Sequence, residues 1–287
     1  MEWERAKSFL LLFFILLNLT LGFLIINERR RYTVTPEREQ AIMTIMAENN
    51  ITMDTRIIRR FPPMRELIVS GFYYDVDELL DIFFDTPANV MRSYFPHGQD
   101  FFYEDAELEI FHGFVSYNNL YGHGGAAEYM VELNRTRAEE LTNAFVQAYF
   151  PDFRLDDVFE SGSRIRLSYR QVYRGYIIHT NFIEFTVTEM GIVRVDMQFS
   201  QVLEFGHEGP IAAPDEALLT FVRRVRDIAL VSPIVITHMD LVYFQVEESF
   251  DPDASNRAVP FYRIFIDGGG IDSDPFLINA ITNEVLN

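Results

Sequence analysis

The hydrophobic and polar positions divide the chain into one long apolar run and a longer part of mixed pattern. Residues 9–26 carry no charge, and as a helix they are about as long as the hydrocarbon core of a bilayer is thick. Lys7 precedes this run, and Glu28 and the arginines at 29–31 follow it. Because no small-x-small cleavage pattern precedes those charges, residues 1–31 are predicted to be an uncleaved membrane anchor and not a cleaved signal peptide.

Three residues interrupt the apolar run: Asn18, Thr20 and Gly22. Residues three and four apart share one face of a helix, so Asn18 and Gly22 share a face with Ile15 and Ile25. In lipid, a side-chain amide gains from a hydrogen-bonding partner, and Gly lets a second helix approach closely. The pattern predicts a partner-binding face of Ile15, Asn18, Gly22 and Ile25. The alternative is that one Asn is tolerated in an otherwise very apolar span.

The charges beside the run do not decide its orientation. Arg5, Lys7 and the amino terminus compete with the arginines at 29–31, which lean toward a cytoplasmic C-terminal part. The absence of Cys fits an extracytoplasmic domain but does not prove it.

The rest of the chain alternates between helical and strand-like patterns. Helices are predicted at 35–49, at 75–84, from the capping-box pattern at Thr136 and Glu139 to Tyr149, and from Pro214 onward. Strands are predicted at 54–60, 66–74, 101–117 with a break near Gly113, 164–170, 183–187, 193–199, 235–247, 259–267 and 276–280, and a loop at 118–125. This order predicts an α+β fold of antiparallel sheets packed with helices, in two related tandem units at 32–131 and 132–287.

Composition excludes several functions. An apolar fraction of 48% is ample for a packed core, so the bulk of the chain is not disordered. The formal net charge of −19 opposes binding to nucleic acid. The lack of Cys excludes disulfides, thiolate zinc sites and cysteine nucleophiles.

No catalytic, metal or cofactor site is predicted. The six histidines include no H-E-x-x-H pair, and there is no G-x-S-x-G motif or phosphate-binding glycine loop. Asp251, Asp253 and Ser255 imitate the start of a calcium loop, but Asn256 and Tyr262 stand where that motif needs Gly and Glu. The chain is therefore predicted not to be an enzyme.

Arginines lie opposite the apolar faces of several predicted strands and of the last helix. They are Arg164, Arg166, Arg170, Arg194, Arg223, Arg224 and Arg226. They are candidates for contact with an acidic partner, although pairing with neighbouring acids such as Glu184 and Asp196 is the more ordinary interpretation.

The N-terminus resembles that of the YycI family. Residues 1–7 read MEWERAK, and family members begin with Met, an acid, Trp, a base two residues on, and Lys at the seventh position. The apolar span that follows contains Leu17-Asn18-Leu19, like the family's span. Residues 173–177 (YRGYI) and 181–185 (NFIEF) look like the family's central strand pair.

The end of the chain carries a further resemblance. Residues 278–285 (INAITNEV) are similar to the closing strand of the family, which is also seen in PepSY-like units. Asn283 stands where Gly is usual, and Asn tolerates the same left-handed turn.

The resemblance implies a YycH/YycI-like, PepSY-like fold in a single-pass membrane protein of Gram-positive-type bacteria. The N-terminus would be cytoplasmic and the C-terminal domain extracytoplasmic. It implies that the chain acts with a YycH-like protein as an accessory regulator of a WalK/YycG-type sensor histidine kinase, which controls cell-wall metabolism. Regulation in the family runs largely through transmembrane-helix contacts, and the resemblance implies no cofactor.

Two other functions stay open at this point. One is an anchored PepSY-like module that binds or inhibits an extracytoplasmic protease or wall enzyme, and it requires no specific contact by the span. The other is an anchored hydrolase, for which the sequence offers no preferred residue.

Overall fold

The computed structural model describes residues 2–72, 74–84, 87–96, 98–123, 133–227, 233–246, 254–268 and 274–286. Within these ranges, the side chains of residues 2, 4–6, 8, 9, 24–30 and 121–123 are not described. The described part contains five α-helices and fourteen strands, and a 3₁₀ turn at Pro87–Asn89. In chain order they are α1 (Glu2–Arg31), α2 (Pro36–Glu48), β1 (Ile51–Met53), β2 (Met64–Phe72), α3 (Val76–Phe83), β3 (Met91–Phe95), β4 (Gly98–Tyr103), β5 (Ala106–Phe111), β6 (Phe114–His123), α4 (Arg135–Tyr149), β7 (Phe153–Ser161), β8 (Arg164–Tyr173), β9 (Tyr176–Thr188), β10 (Gly191–Gln198), β11 (Ser200–Gly209), α5 (Pro214–Asp227), β12 (Ile234–Gln245), β13 (Ser255–Gly268) and β14 (Phe276–Asn279).

The predicted α+β class is confirmed, and the chain forms two compact units. The first unit is made of Met1–Met64, Glu208–Asp240 and Tyr262–Asn287, and the second of Arg65–His207 and Leu241–Phe261. These units follow contacts in space and combine distant parts of the chain. The division into tandem units at 32–131 and 132–287 concerns repetition along the chain, and it stays a prediction.

The second unit is mostly β-sheet, packed against α3 and α4. Within this unit the strands β7, β8, β9, β10, β6, β5, β4 and β3 are hydrogen-bonded in that order, and the unit also contains residues 241–245 of β12 and 255–261 of β13. Most pairs whose register is resolved are antiparallel, whereas β12 runs parallel to β9. Phe83 of α3 stacks on Tyr117 of β6 at 4.6 Å between ring centroids, and Phe145 of α4 packs edge-on against Phe185 of β9 at 5.4 Å. These aromatic contacts form the centre of the core of this unit.

The first unit packs α2 and α5 together beside a short parallel pairing of β1 with residues 234–236 of β12. Arg38 of α2 donates two hydrogen bonds to the carboxylate of Asp215 in α5, at 2.7 and 2.9 Å. Because Asp215 is largely buried, this paired geometry fixes how the two helices pack. The amide of Ala213 donates to the Glu216 carboxylate, which caps the start of α5.

Helix starts follow the expected capping chemistry, with one correction. Thr35 and Asp75 cap α2 and α3 through their side-chain oxygens. The capping box predicted at Thr136 and Glu139 is wrong. The helix begins at Arg135, and Asn134 caps it by accepting a hydrogen bond from the amide of Arg137 at 2.9 Å.

The strand predictions also need correction. Residues 54–60 are not a strand, since β1 ends at Met53 and only a bridge at Arg60 follows. The predicted loop at 118–125 is wrong over its first six residues, because β6 continues to His123; residues 124 and 125 lie outside the described ranges. The turn at Asn283 is confirmed as left-handed, with φ of 58°.

Helix α1 extends over 30 residues. From Leu10 to Phe23 its side chains are exposed or partly exposed, and Leu10 is 72% exposed. Among the described residues, no helix combines the length and apolar character needed to cross a membrane.

Candidate partner-binding face of the first helix

Ile15 and Asn18 of the predicted face lie on one exposed strip of α1. An open groove on this strip is lined by Lys7, Leu10, Leu11, Phe14, Ile15, Asn18 and Leu19. Ile15 and Asn18 therefore lie side by side, and Gly22 continues the strip one turn further on. The side chain of Ile25 lies outside the described residues. The sequence prediction omitted the lysine and the leucines of this groove, although their three- and four-residue spacing carries the signal.

The two polar side chains of the apolar run differ in how many hydrogen-bond donors they have free for a partner. The amide nitrogen of Asn18 donates to the carbonyl of Phe14 at 2.8 Å, and the hydroxyl of Thr20 donates to the carbonyl of Leu16 at 2.8 Å. Thr20 has thereby used its only proton, whereas Asn18 retains a second N–H and its carbonyl oxygen. Among the described residues, neither of these remaining groups of Asn18 is hydrogen-bonded.

Gly22 leaves the backbone of α1 open to close approach. A Cβ atom built at Gly22 meets no other atom within 4 Å. A larger residue therefore fits without a clash inside the chain, so close packing within the chain is not what requires Gly at this position. Beside Asn18, this opening is the geometry with which small residues let two helices pack closely in a membrane.

The cytoplasmic end predicted for the span carries an aromatic–cation pair. The ammonium group of Lys7 lies 5.4 Å from the ring centroid of Trp3, and both side chains are exposed. An amphipathic aromatic beside a cation is typical of the boundary between a bilayer and water.

The arginines on the strands and on α5 are in part engaged with nearby acids. Arg194 bonds to Asp196. Arg170 lies 3.8 Å from both Asp156 and Glu184, and its guanidinium lies over the ring of Phe182. Cross-strand pairing therefore holds for Arg170, whereas Arg194 pairs with an acid two residues further along its own strand, β10.

Among the described residues, no group of three or more His, Asp or Glu is arranged to hold a metal ion. Asp251 and Asp253 of the calcium-like sequence, and His97, lie outside the described residues. Burial raises the pKa of Tyr74, whose hydroxyl accepts from the amide of Phe199, so this phenol stays protonated at neutral pH.

Comparison with known proteins gives similarity of fold only. No protein-family model and no curated protein matches the sequence. An uncharacterized protein from Eubacterium rectale has a similar structure, with a TM-score of 0.56 and 11% sequence identity, over 83% of this chain and 91% of that one.

Two further solved structures resemble the chain at lower scores. YycH from Bacillus subtilis has a TM-score of 0.48 at 11% identity, over 76% of this chain and 54% of that chain. The C-terminal domain of YpeB from Bacillus megaterium has a TM-score of 0.40 at 10% identity, over 76% and 97% of the two chains. At these identities the chain shares an overall fold with the Eubacterium rectale protein, and no function follows from the three likenesses.

Proposed function

We propose that this chain is a single-pass membrane protein and a non-enzymatic accessory regulator of a WalK/YycG-type sensor histidine kinase, acting together with a YycH-like protein. Helix α1 is the anchor, with its N-terminus in the cytoplasm and residues 32–287 outside. The kinase and the YycH-like protein are identified by the resemblance of residues 1–7 and of the apolar span to the YycI family.

One observation carries the proposal: Asn18 has spare hydrogen-bonding capacity at the centre of an exposed apolar strip. In a bilayer the spare N–H and the carbonyl oxygen have no water to bind. A second helix that offers a polar group satisfies them, with an interaction of about 1 kcal/mol. Gly22 lies one turn away and allows the approach that such a bond requires. Association through α1 is therefore the role for which this strip is suited.

The test is recovery of the kinase with the full-length chain from membranes. We expect a sensor histidine kinase and a YycH-like protein to copurify with the native chain, and recovery to fall at least several-fold in an Asn18→Leu, Gly22→Leu double variant of equal abundance. Neither substitution removes a packing contact with the rest of the chain, because Asn18 is exposed and Gly22 has open space beside it.

Thr20→Val is the matched control. It also removes a polar group from the apolar run, but Thr20 lies on the opposite side of α1 and its hydroxyl is bonded within the helix. Recovery of the kinase should be unchanged in this variant. Equal loss in both variants would contradict a role specific to the Asn18 face. Unchanged recovery in the double variant, or equal recovery with a chain that begins at Tyr32, would contradict the proposal and place the function in residues 32–287.

A further inference from the structure

Positive charge gathers where α1 ends and the chain folds back on itself within the first unit. Thr33 and Arg60 form an antiparallel bridge. The amide of Val34 donates to the carbonyl of Arg59 at 2.9 Å, and the amide of Phe61 donates to the carbonyl of Tyr32 at 3.1 Å. These two hydrogen bonds, which make up the bridge, hold residues 59–61 against residues 32–34 at the end of α1.

This pairing joins two groups of arginine that are separated in the sequence. Residues 28–34 and 54–61 together hold six arginines and only two acids, Glu28 and Asp54, in a chain whose 43 acids outnumber its 24 bases. Arg31, Arg56 and Arg60 are exposed, and none of the three forms an ion pair within the described residues. Arg59 is instead paired with Glu39 at 3.0 Å.

Packing directs the arginines of the segment outward. Ile57 and Phe61 are buried, and Phe61 meets Tyr32 edge-on at 6.1 Å between ring centroids. With its apolar side chains held inside the unit, the segment cannot turn its arginines away from solvent without losing that burial. We call Arg31, Arg56 and Arg60 the arginine cluster.

We propose that the arginine cluster binds the phosphate groups of anionic phospholipids at the membrane surface where α1 emerges. The apolar run ends at residue 26, so the cluster lies at headgroup level if α1 spans the bilayer. Guanidinium groups bind phosphate in a paired geometry, and each arginine near an anionic surface strengthens binding roughly fivefold. The inference rests on the membrane anchor of the proposed function, and it adds a lipid ligand to it.

The experiment measures lipid selectivity of the full-length chain in neutral detergent micelles. Phosphatidylglycerol and phosphatidylcholine are titrated separately, and retained lipid is counted by native mass spectrometry. We expect phosphatidylglycerol to bind at least tenfold more tightly, and an Arg56→Gln, Arg60→Gln variant to weaken its binding by roughly tenfold or more. Higher ionic strength should reduce the selectivity, because the interaction is between exposed charges.

An Arg223→Gln, Arg226→Gln variant is the control, since it removes two exposed arginines of α5 and the same charge. It should bind phosphatidylglycerol as the native chain does. Equal retention of the two lipids, or equal weakening in both variants, overturns the inference. So does full competition by inorganic phosphate at the same phosphate concentration, which would make the ligand a free anion.

Failure of this inference is separable from failure of the proposed function. The Arg56→Gln, Arg60→Gln variant keeps the Asn18 strip intact, so its kinase recovery should equal that of the native chain. Selective lipid binding without kinase recovery supports the arginine cluster and contradicts the regulator. Kinase recovery without lipid selectivity supports the regulator and contradicts the lipid-binding role of the arginine cluster.

Discussion

Several tyrosines of this chain are buried, and burial changes their acid–base behaviour. Tyr243 donates its hydroxyl proton to the carbonyl of Arg65 at 2.8 Å, and its ring meets Tyr176 edge-on. Burial, with a smaller contribution from the nearby Tyr176, raises the pKa of Tyr243 to about 12. Burial also raises the pKa of Tyr169 and Tyr262. The neutral phenol is the form that the folded chain accommodates.

We therefore predict a loss of stability in alkali that depends partly on Tyr243. The raised pKa stabilises the fold fully below about pH 10, the ordinary pKa of tyrosine, and this stability is lost as the pH rises toward 12. The melting temperature should fall steeply over that interval and less steeply in Tyr243→Phe. At neutral pH this variant should be about 1 kcal/mol less stable, because the carbonyl of Arg65 loses its donor.

Circular dichroism melts of the full-length chain in detergent, at intervals from pH 8 to pH 11.5, measure both effects. Tyr94→Phe is the control, since Tyr94 is 68% exposed. Melting curves of Tyr243→Phe and the native chain that stay parallel throughout the interval would contradict the prediction.

At the scale of the hairpin, two glycines in turns allow the cost of backbone strain to be measured apart from the cost of a steric clash. Gly113, between β5 and β6, has φ of 71°, and a Cβ atom there would lie 2.3 Å from Cβ of the buried Phe72. Gly162, between β7 and β8, has φ of 58°, but a Cβ atom there meets nothing within 4 Å. Both glycines have a positive φ, but only at Gly113 would a side chain strike a neighbouring residue.

Gly162→Ala should lower the free energy of unfolding by about 1 kcal/mol, because a residue with a side chain is strained in a left-handed backbone conformation. At Gly113 the same strain is joined by a clash with Phe72, for which we expect about 1–3 kcal/mol more. The two melting temperatures, measured on the full-length chain, test this order. Equal shifts would mean that β2 and the β5–β6 hairpin separate freely.

Elements with strong local signals were predictable from the sequence. Helix α5 shows the three- and four-residue spacing of Leu218, Phe221 and Val225, and all three side chains are buried. Strand β8 alternates cleanly, with Ile165 and Leu167 inside. In both elements one face is buried by the rest of the unit. The apolar residues therefore recur at the spacing that is typical of that element, and the sequence shows this spacing.

Strands without a one-sided burial pattern were missed. Met91–Tyr94 of β3 are exposed on both faces, and most residues of β7 are charged or exposed, so neither shows alternation. Hydrogen bonds to a neighbouring strand hold both in place, and a local pattern does not encode that pairing. The same reason explains why the charges that flank the apolar run in the sequence do not include Arg60, which only the bridge at Thr33 brings to the end of α1.

The candidate face on α1 was predictable because it depends on helical spacing alone. Asn18 and Gly22 share a face in any regular helix. Helical spacing placed Asn18 on this face and left Thr20 off it, but it did not show that each side chain donates one proton to its own helix, which leaves a donor on Asn18 alone.

On the scale of the whole molecule, α1 is separable from the core. None of its described side chains belongs to the buried apolar set, and residues 32–287 hold 19 Lys and Arg against 40 Asp and Glu, a charge that favours solubility. We predict that a chain beginning at Tyr32 folds without detergent and melts within a few degrees of the full-length chain.

The truncated chain needs the first residues after α1 for its full stability. Val34 is 2% exposed. The amide of Val34 donates to the carbonyl of Arg59, and the amide of Phe61 donates to the carbonyl of Tyr32. A chain beginning at Thr35 loses this burial and both bonds, which together contribute about 3 kcal/mol. Its melting temperature should therefore lie roughly 6–12 °C below that of the chain beginning at Tyr32. Equal melting of the two shortened chains would show that the Tyr32–Val34 pairing contributes nothing to the fold. Aggregation of both without detergent would instead show that α1 is needed to keep residues 32–287 folded.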